Sequence, residues 1–217
     1  MKVSSAFSAL LVAGPATAQT PAGFTPSVST RLDLTFGSKN VATPGTALTK
    51  SDTAQPPTLG LATQPNGTYL WLMILMRTFS APYAMESPPP MSDQHPNQAP
   101  LSSTNFANPQ AGQPSTYLHT VIRDFKATGQ TTSSGIYTLS STATGPVSWF
   151  GPAPGAENPP HPHRYTNLLW EQPANWVIPQ AANTQLQNQK LGFNVEDFIQ
   201  AAGLSVPIAA NYFNVTG

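Results

Sequence analysis

The stretch from Thr68 to Met76, TYLWLMILM, constrains the fold more than any other part of the chain. After Thr68 no polar residue interrupts it, so it lacks the alternation of a strand with one wet face. It is also too short for an ordinary buried helix. A continuous apolar run of this length reads as a central strand buried on both faces. The rest of the chain must therefore supply a sheet around it.

Four further segments carry strand signals. Arg31–Phe36 alternates polar with apolar residues and ends at Gly37. Residues 116–125 (TYLHTVIRDF) and 165–170 (YTNLLW) follow, and Ile208–Val215 begins after Pro207. One helix is marked near the C-terminus. Asn194 suits its cap, Asp197 its positive end and Gly203 its close, while Val195, Phe198, Ile199 and Ala202 share one face. Such a helix packs on a sheet. Residues 81–115 form a long segment rich in Pro, Ser, Asn and Gln with no apolar period, a loop insertion within one domain.

Composition agrees with a mostly β chain. Charged residues are 8% of the 217, against 24 Pro and 15 Gly, where a helical bundle needs far more Glu, Lys and Ala. The net charge is zero, so neither nucleic acid nor an anionic membrane surface is attracted electrostatically. With no cysteine there is no disulfide framework, thiol nucleophile or Cys-based metal site.

The N-terminus reads as an export signal over residues 1–18. Lys2 is its positive region, Ala6–Ala13 its apolar stretch and Ala16-Thr17-Ala18 its small-residue cleavage pattern. The apolar stretch is too short to span a bilayer, so the mature domain, 19–217, carries no integral membrane segment. The sequons at Asn66 and Asn214 agree with a secretory or extracellular location.

Chemistry concentrates in NPPHPHRYTNLLWEQP, residues 158–173. Pro159, Pro160 and Pro162 fix an extended backbone that presents His163 as the chain enters its strand. Upstream, Phe150-Gly151-Pro152 makes a rigid turn. His119 sits inside an apolar strand, where a polar ring is costly to bury without a partner. Two histidines on neighbouring strand mouths, backed by Tyr165, make a small pocket for an anion. His161 reads as a surface residue of the proline-rich loop, and His95 falls in the insertion. A three-histidine zinc site has neither the spacing nor a nearby carboxylate, so no metal or other cofactor is expected. A Gly-x-Ser-x-Gly elbow and a phosphate-cradling glycine loop are both absent from the sequence.

These segments resemble one family. FGPAPGAENPPHPHRYTNLLWEQP is similar to the second signature of the phosphatidylethanolamine-binding proteins, a Gly-Pro turn running into His-Arg-Tyr. STYLHTVIRDF resembles the family's Leu-His strand, and GFNVEDFIQAAGLSVPIAANYFNV its C-terminal helix and closing strand. LDLTFGSKNVATPGTALT fits as well. The resemblance implies a β-sandwich with a large central sheet and a C-terminal helix. It places an anion site on His119, His163 and Tyr165, shaped by Gly151 and Pro152. The export signal makes the chain look like a secreted, filamentous-fungal branch.

The family's first signature is where the chain departs. Asp-Pro-Asp-x-Pro is expected after the apolar strand; Leu75-Met76-Arg77-Thr78-Phe79 stands there instead. An acidic pocket wall becomes aliphatic. Arg77 either turns inward to pair with a carboxylate or anhydride oxygen, or outward as a solvated charge, depending on a one-residue register.

Three function classes follow from the resemblance. In the first, the protein acts in a fungal secondary-metabolite pathway, as an enzyme or accessory in the coupling of maleic-anhydride-type polyketide monomers. His119 or His163 would serve as the base, with Arg77, Arg164 or Tyr165 around the oxygens, no cofactor, and a partner enzyme of the same pathway. In the second, it holds a small anionic ligand or lipid head group without transforming it. In the third, it is a protease-inhibitor-like interaction protein, with segment 81–115 carrying the contact.

Overall fold

The computed structural model describes residues 17–78 and 114–217, so most of the leader and of the proline-rich insertion fall outside the described residues, as does the side chain of Arg77. Among the described residues the strands are β1 (Asp33–Phe36), β2 (Lys39–Asn40), β3 (Thr46–Leu48), β4 (Thr58–Leu61), β5 (Tyr69–Thr78) and β6 (Pro114–Thr131). Then come β7 (Tyr137–Ser140), β8 (Pro146–Val147), β9 (Pro162–Glu171), helices α1 (Gln180–Asn188) and α2 (Val195–Ala202), and β10 (Ala209–Thr216). The strands form one sheet in the order β2-β1-β4-β7-β6-β5-β9-β10-β3, with β8 added to β6. Neighbours pair antiparallel, except that β10 runs parallel to β3.

Strand β6 folds the sheet back on itself. Its first part pairs with β5 as far as Phe125, and from Lys126 onward it pairs with β7. The change of partner falls next to Asp124, which adopts φ 65, rare for a residue with a Cβ. Gln172 holds it there, accepting from the Asp124 amide at 3.0 Å and donating to its carboxylate at 2.7 Å. The two arms of the sheet thus face each other. The close pairing of β4 with β7 requires Gly60, because a Cβ there would meet the Ile136 side chain.

Strand β5 is the central one anticipated from its apolar run. Leu70, Leu72, Ile74 and Met76 pack in one cluster with Leu186 of α1 and Val195 and Phe198 around α2. Tyr69, Trp71 and Met73 pack in another with Leu34, Leu59, Leu139 and Phe213 from the facing arm and β10. One face meets helices and the other meets sheet, which is why no polar residue alternates in. Truncating fully buried Leu72 to Ala should cost about 2–5 kcal/mol. Trp71 also donates its indole N–H to Asn167 Oδ1 at 3.1 Å, so its single polar group is satisfied.

Helix α2 begins and ends on the residues that signalled it. Asn194 Oδ1 accepts from the amides of Glu196 and Asp197, and Gly203 takes the left-handed conformation at φ 65. Helix α1 is an addition to the sequence reading. The chain after it runs along the edge of β6, where Leu118 N donates to Lys190 O and Gly192 N to Thr116 O.

Candidate functional site

Four strands lay a row of side chains across one face of the sheet. Phe213 of β10 pairs with Tyr165 of β9, Tyr165 with Leu75 of β5, and Leu75 with Tyr117 of β6. Directly paired residues project to the same face, and here that is the face toward the opposing arm. Tyr165 stacks on Phe213 with ring centroids 5.5 Å apart. Burial pushes its phenol well above the usual range, so it stays a hydrogen-bond donor at all physiological pH.

His119 is aimed at this row by a bulge. The β5–β6 register jumps from Met73↔Thr120 to Ile74↔Leu118, leaving His119 as the extra residue. Its ring meets Tyr165 edge-on at 5.1 Å and Tyr117 at 5.4 Å, and Phe150 stacks over it at 5.2 Å. His119 Nδ1 lies 2.8 Å from the Phe150 carbonyl oxygen. A carbonyl only accepts, so in the neutral ring the hydrogen is on Nδ1 and the Nε2 lone pair is left for another partner. At 3% exposure, desolvation lowers the His119 pKa below 6.5, and the bond to Phe150 opposes this more weakly. His119 is a neutral base at pH 7.

The Gly-Pro turn holds that carbonyl in place. A Cβ on Gly151 would stand 3.0 Å from Thr53 O, a tight contact that glycine avoids as the turn lies against this segment. Trp149 donates to Ala54 O at 3.2 Å, and Pro152 is buried behind it. Gly151 and Pro152 directly follow Phe150, whose carbonyl meets His119 Nδ1.

The β6 edge opens at His119. On one side Lys190–Gly192 covers it, and on the other β8 pairs with Val121 and Ile122. Between them lies a cavity of about 310 Å³ lined by His119, Tyr117, Phe150, Ser148, Gln187 and Lys190, among others. Phe150 is 55% exposed at this cavity. Lys190 brings a cation and Gln187 an amide that the sequence reading missed. Both come from the end of α1 and the chain after it, where nothing in the sequence ties them to His119.

His163 has a different environment. It precedes Tyr165 by two residues on β9 and shares its face, opposite Val215. Its Nε2 lies 3.2 Å from Glu157 Oε1, and Glu157 Oε2 lies 3.8 Å from His161 Nδ1. The expectation that no carboxylate lies near these histidines is therefore corrected. The acid comes from the proline-rich loop itself. Glu157 is the one acid between the Gly-Pro turn and His163, and that was the available signal. His161 is about half exposed, as expected of a loop residue. Among the described residues no group of three or more His, Cys, Asp or Glu could hold a metal ion.

The remaining candidates are spread apart. His163 and Tyr165 do not line the His119 cavity, although Tyr165 touches the His119 ring. Arg164 alternates to the other face of β9, with Leu168 and Trp170. The Arg77 backbone pairs with Ser115, while its side chain lies outside the described residues. Asn66 is exposed in the irregular segment before β5. Asn214 sits in β10, half-buried, with its amide nitrogen donating to Gly45 O at 3.0 Å. Among the described residues no helix is long and apolar enough to cross a membrane.

Residues 38–213 match the family model described as phosphatidylethanolamine-binding protein. The chain is 28% identical over 218 residues to the phomoidride biosynthesis cluster protein N of Talaromyces stipitatus, covering 98% of each. A protein of the same name from an unclassified fungal species is 41% identical over 68 residues, 29% of this chain and 31% of that one. Among solved structures, a chain in the crystal structure of carboxypeptidase Y inhibitor complexed with the cognate proteinase superposes with a TM-score of 0.52. That match has 16% identity and covers 87% of this chain and 84% of the other, a likeness of fold.

Proposed function

The chain belongs to the phosphatidylethanolamine-binding protein family, and from that premise we propose that it binds a small carboxylate or anhydride beside His119 and acts in a fungal secondary-metabolite pathway. Its part there is enzyme or accessory in the carbon–carbon coupling of maleic-anhydride-type monomers. The pathway assignment is supported by the near-full-length relative named as a biosynthesis cluster protein. The observation that carries the chemistry is the His119–Phe150 hydrogen bond, which fixes the hydrogen on Nδ1 and leaves Nε2 basic beside a cavity that also holds Lys190.

The geometry suits proton abstraction. Nε2 takes a proton from a carbon activated by the anhydride carbonyls, and the Lys190 ammonium stabilises the negative oxygen that develops. Tyr117 and Phe150 shield the ring from water. The carbanion then adds to a second monomer, and the His119 imidazolium returns the proton. A lowered His119 pKa keeps the base unprotonated in its resting state. In this reading the leader directs the protein to the secretory pathway, where a partner enzyme of the same pathway supplies the monomers.

A second reading is favoured by one fact: among the described residues His119 is the one histidine lining the cavity, and His163 does not join it there. The protein then holds the ligand without transforming it. Incubation with an alkyl maleic anhydride, followed by mass spectrometry of the products, separates the two. Dimer formation that is lost in His119→Ala supports coupling. Binding without dimer supports the accessory role, and neither binding nor dimer overturns both.

A further inference from the structure

A second cavity, of about 520 Å³, lies between the two arms of the sheet. Trp71, Phe125, Ile122 and Leu139 form its floor, and Trp149 and Ala143 stand at its side. Trp149 lies nearly parallel to Trp71, with centroids 5.7 Å apart and planes 21° from each other, and Phe125 meets Trp71 edge-on at 6.0 Å. No lining residue is charged. The cavity is open to solvent on one side and falls in the size range of small-molecule sites. Its aromatic residues offer large apolar contact at little entropic cost, and the polar groups of its lining are the uncharged hydroxyls of Thr58, Ser140, Ser141, Thr144 and Ser148.

This cavity adjoins the first. Ser148 lines both, while its neighbours divide, Trp149 facing the apolar cavity and Phe150 the His119 cavity. Along β6, His119 and Ile122 are three residues apart, about 10 Å at strand spacing. A cationic, hydrogen-bonding compartment and an uncharged aromatic one therefore lie side by side, at a separation that a medium-length alkyl chain spans.

We propose that the Trp71–Trp149 cavity is a hydrocarbon site, taking the alkyl or ring portion of an amphiphilic carboxylic acid or anhydride whose acid end occupies the His119 cavity. The acid-end assignment rests on the function proposed above, and the hydrocarbon site stands on its own lining. The test is calorimetry on the full chain with octanoate, 1-octanol and succinate, together with nuclear Overhauser contacts from the octanoate methyl. Two variants narrow the cavity: Thr144→Trp at an exposed position and Ala143→Phe at a half-buried one. Octanoate should bind at least about tenfold tighter than succinate and contact the Trp149 ring. Either folded variant should reduce octanoate to the succinate level and abolish octanol binding. Loss of succinate binding alone, with octanol still blocked by the variants, would overturn the acid-end assignment and leave the hydrocarbon site standing. Octanoate no tighter than succinate, or unaffected by both variants while circular dichroism shows intact folds, would overturn the hydrocarbon site.

Discussion

Leu75 on β5 stands directly between Tyr165 on β9 and Tyr117 on β6, and His119 touches both tyrosine rings. Leu75 thus belongs to the wall around the buried histidine. Changing Leu75→Asp should place a carboxylate beside His119, favour its charged form and raise its pKa. The same change should weaken binding of a dianion by like-charge repulsion. Histidine ring signals followed by NMR titration in both proteins check this. Unmoved His119 signals would mean that Leu75 is electrostatically remote from the ring.

Stability should depend on pH through His119. Its folded-state pKa lies below 6.5 because burial disfavours the imidazolium, so as pH falls the unfolded chain takes up the proton first. The contribution is fully present above the unfolded value and is lost as pH falls toward the folded one. Urea denaturation of the wild type should show stability falling as pH drops below 6.5, and His119→Asn should flatten that drop. An equally steep loss in the variant would place the titrating group elsewhere.

Glu157 should anchor its loop. Glu157→Gln removes the charge facing His163 Nε2 at 3.2 Å and should cost about 1 kcal/mol, since the carboxylate is partly exposed. Denaturant midpoints compare the two proteins directly. No change would leave the loop held by its prolines alone.

The two sequons should differ in use. Asn66 is exposed in the irregular segment before β5, whereas the Asn214 amide nitrogen is committed to Gly45 O within the sheet. Expressed through a eukaryotic secretory route, the protein should carry glycan at Asn66 and none at Asn214. Site-resolved mass spectrometry reads this, and a modified Asn214 would contradict the β10 assignment.

Legibility followed local signal strength. β5 could be read because both of its faces are apolar, and α2 because Asn194 and Gly203 mark its ends in residue types that few other positions need. His119 and His163 stood out because histidine is scarce in this chain and both sit in strand contexts. Helix α1 was missed for the opposite reason. Its sequence, QAANTQLQN, buries Ala182 and Leu186 alone and has no side-chain cap, so it holds its shape by docking rather than by propensity. β4 and β7 are short and shielded by their partners, and Gly60 permits their close approach. Lys190 reaches the His119 cavity through tertiary placement, which no spacing in the sequence encodes, whereas Glu157 meets His161 and His163 from four and six residues away.

The central claim is that His119, with its hydrogen on Nδ1, offers Nε2 to a small acid or anhydride. Nitrogen-15 NMR of labelled histidine, recorded at pH 7 while succinate is added, tests it most directly. The account predicts a neutral His119 with Nδ1 protonated before addition, and a saturable shift centred on Nε2 as ligand binds. A His119 protonated on Nε2 at the start, or unmoved at saturating succinate, would contradict it.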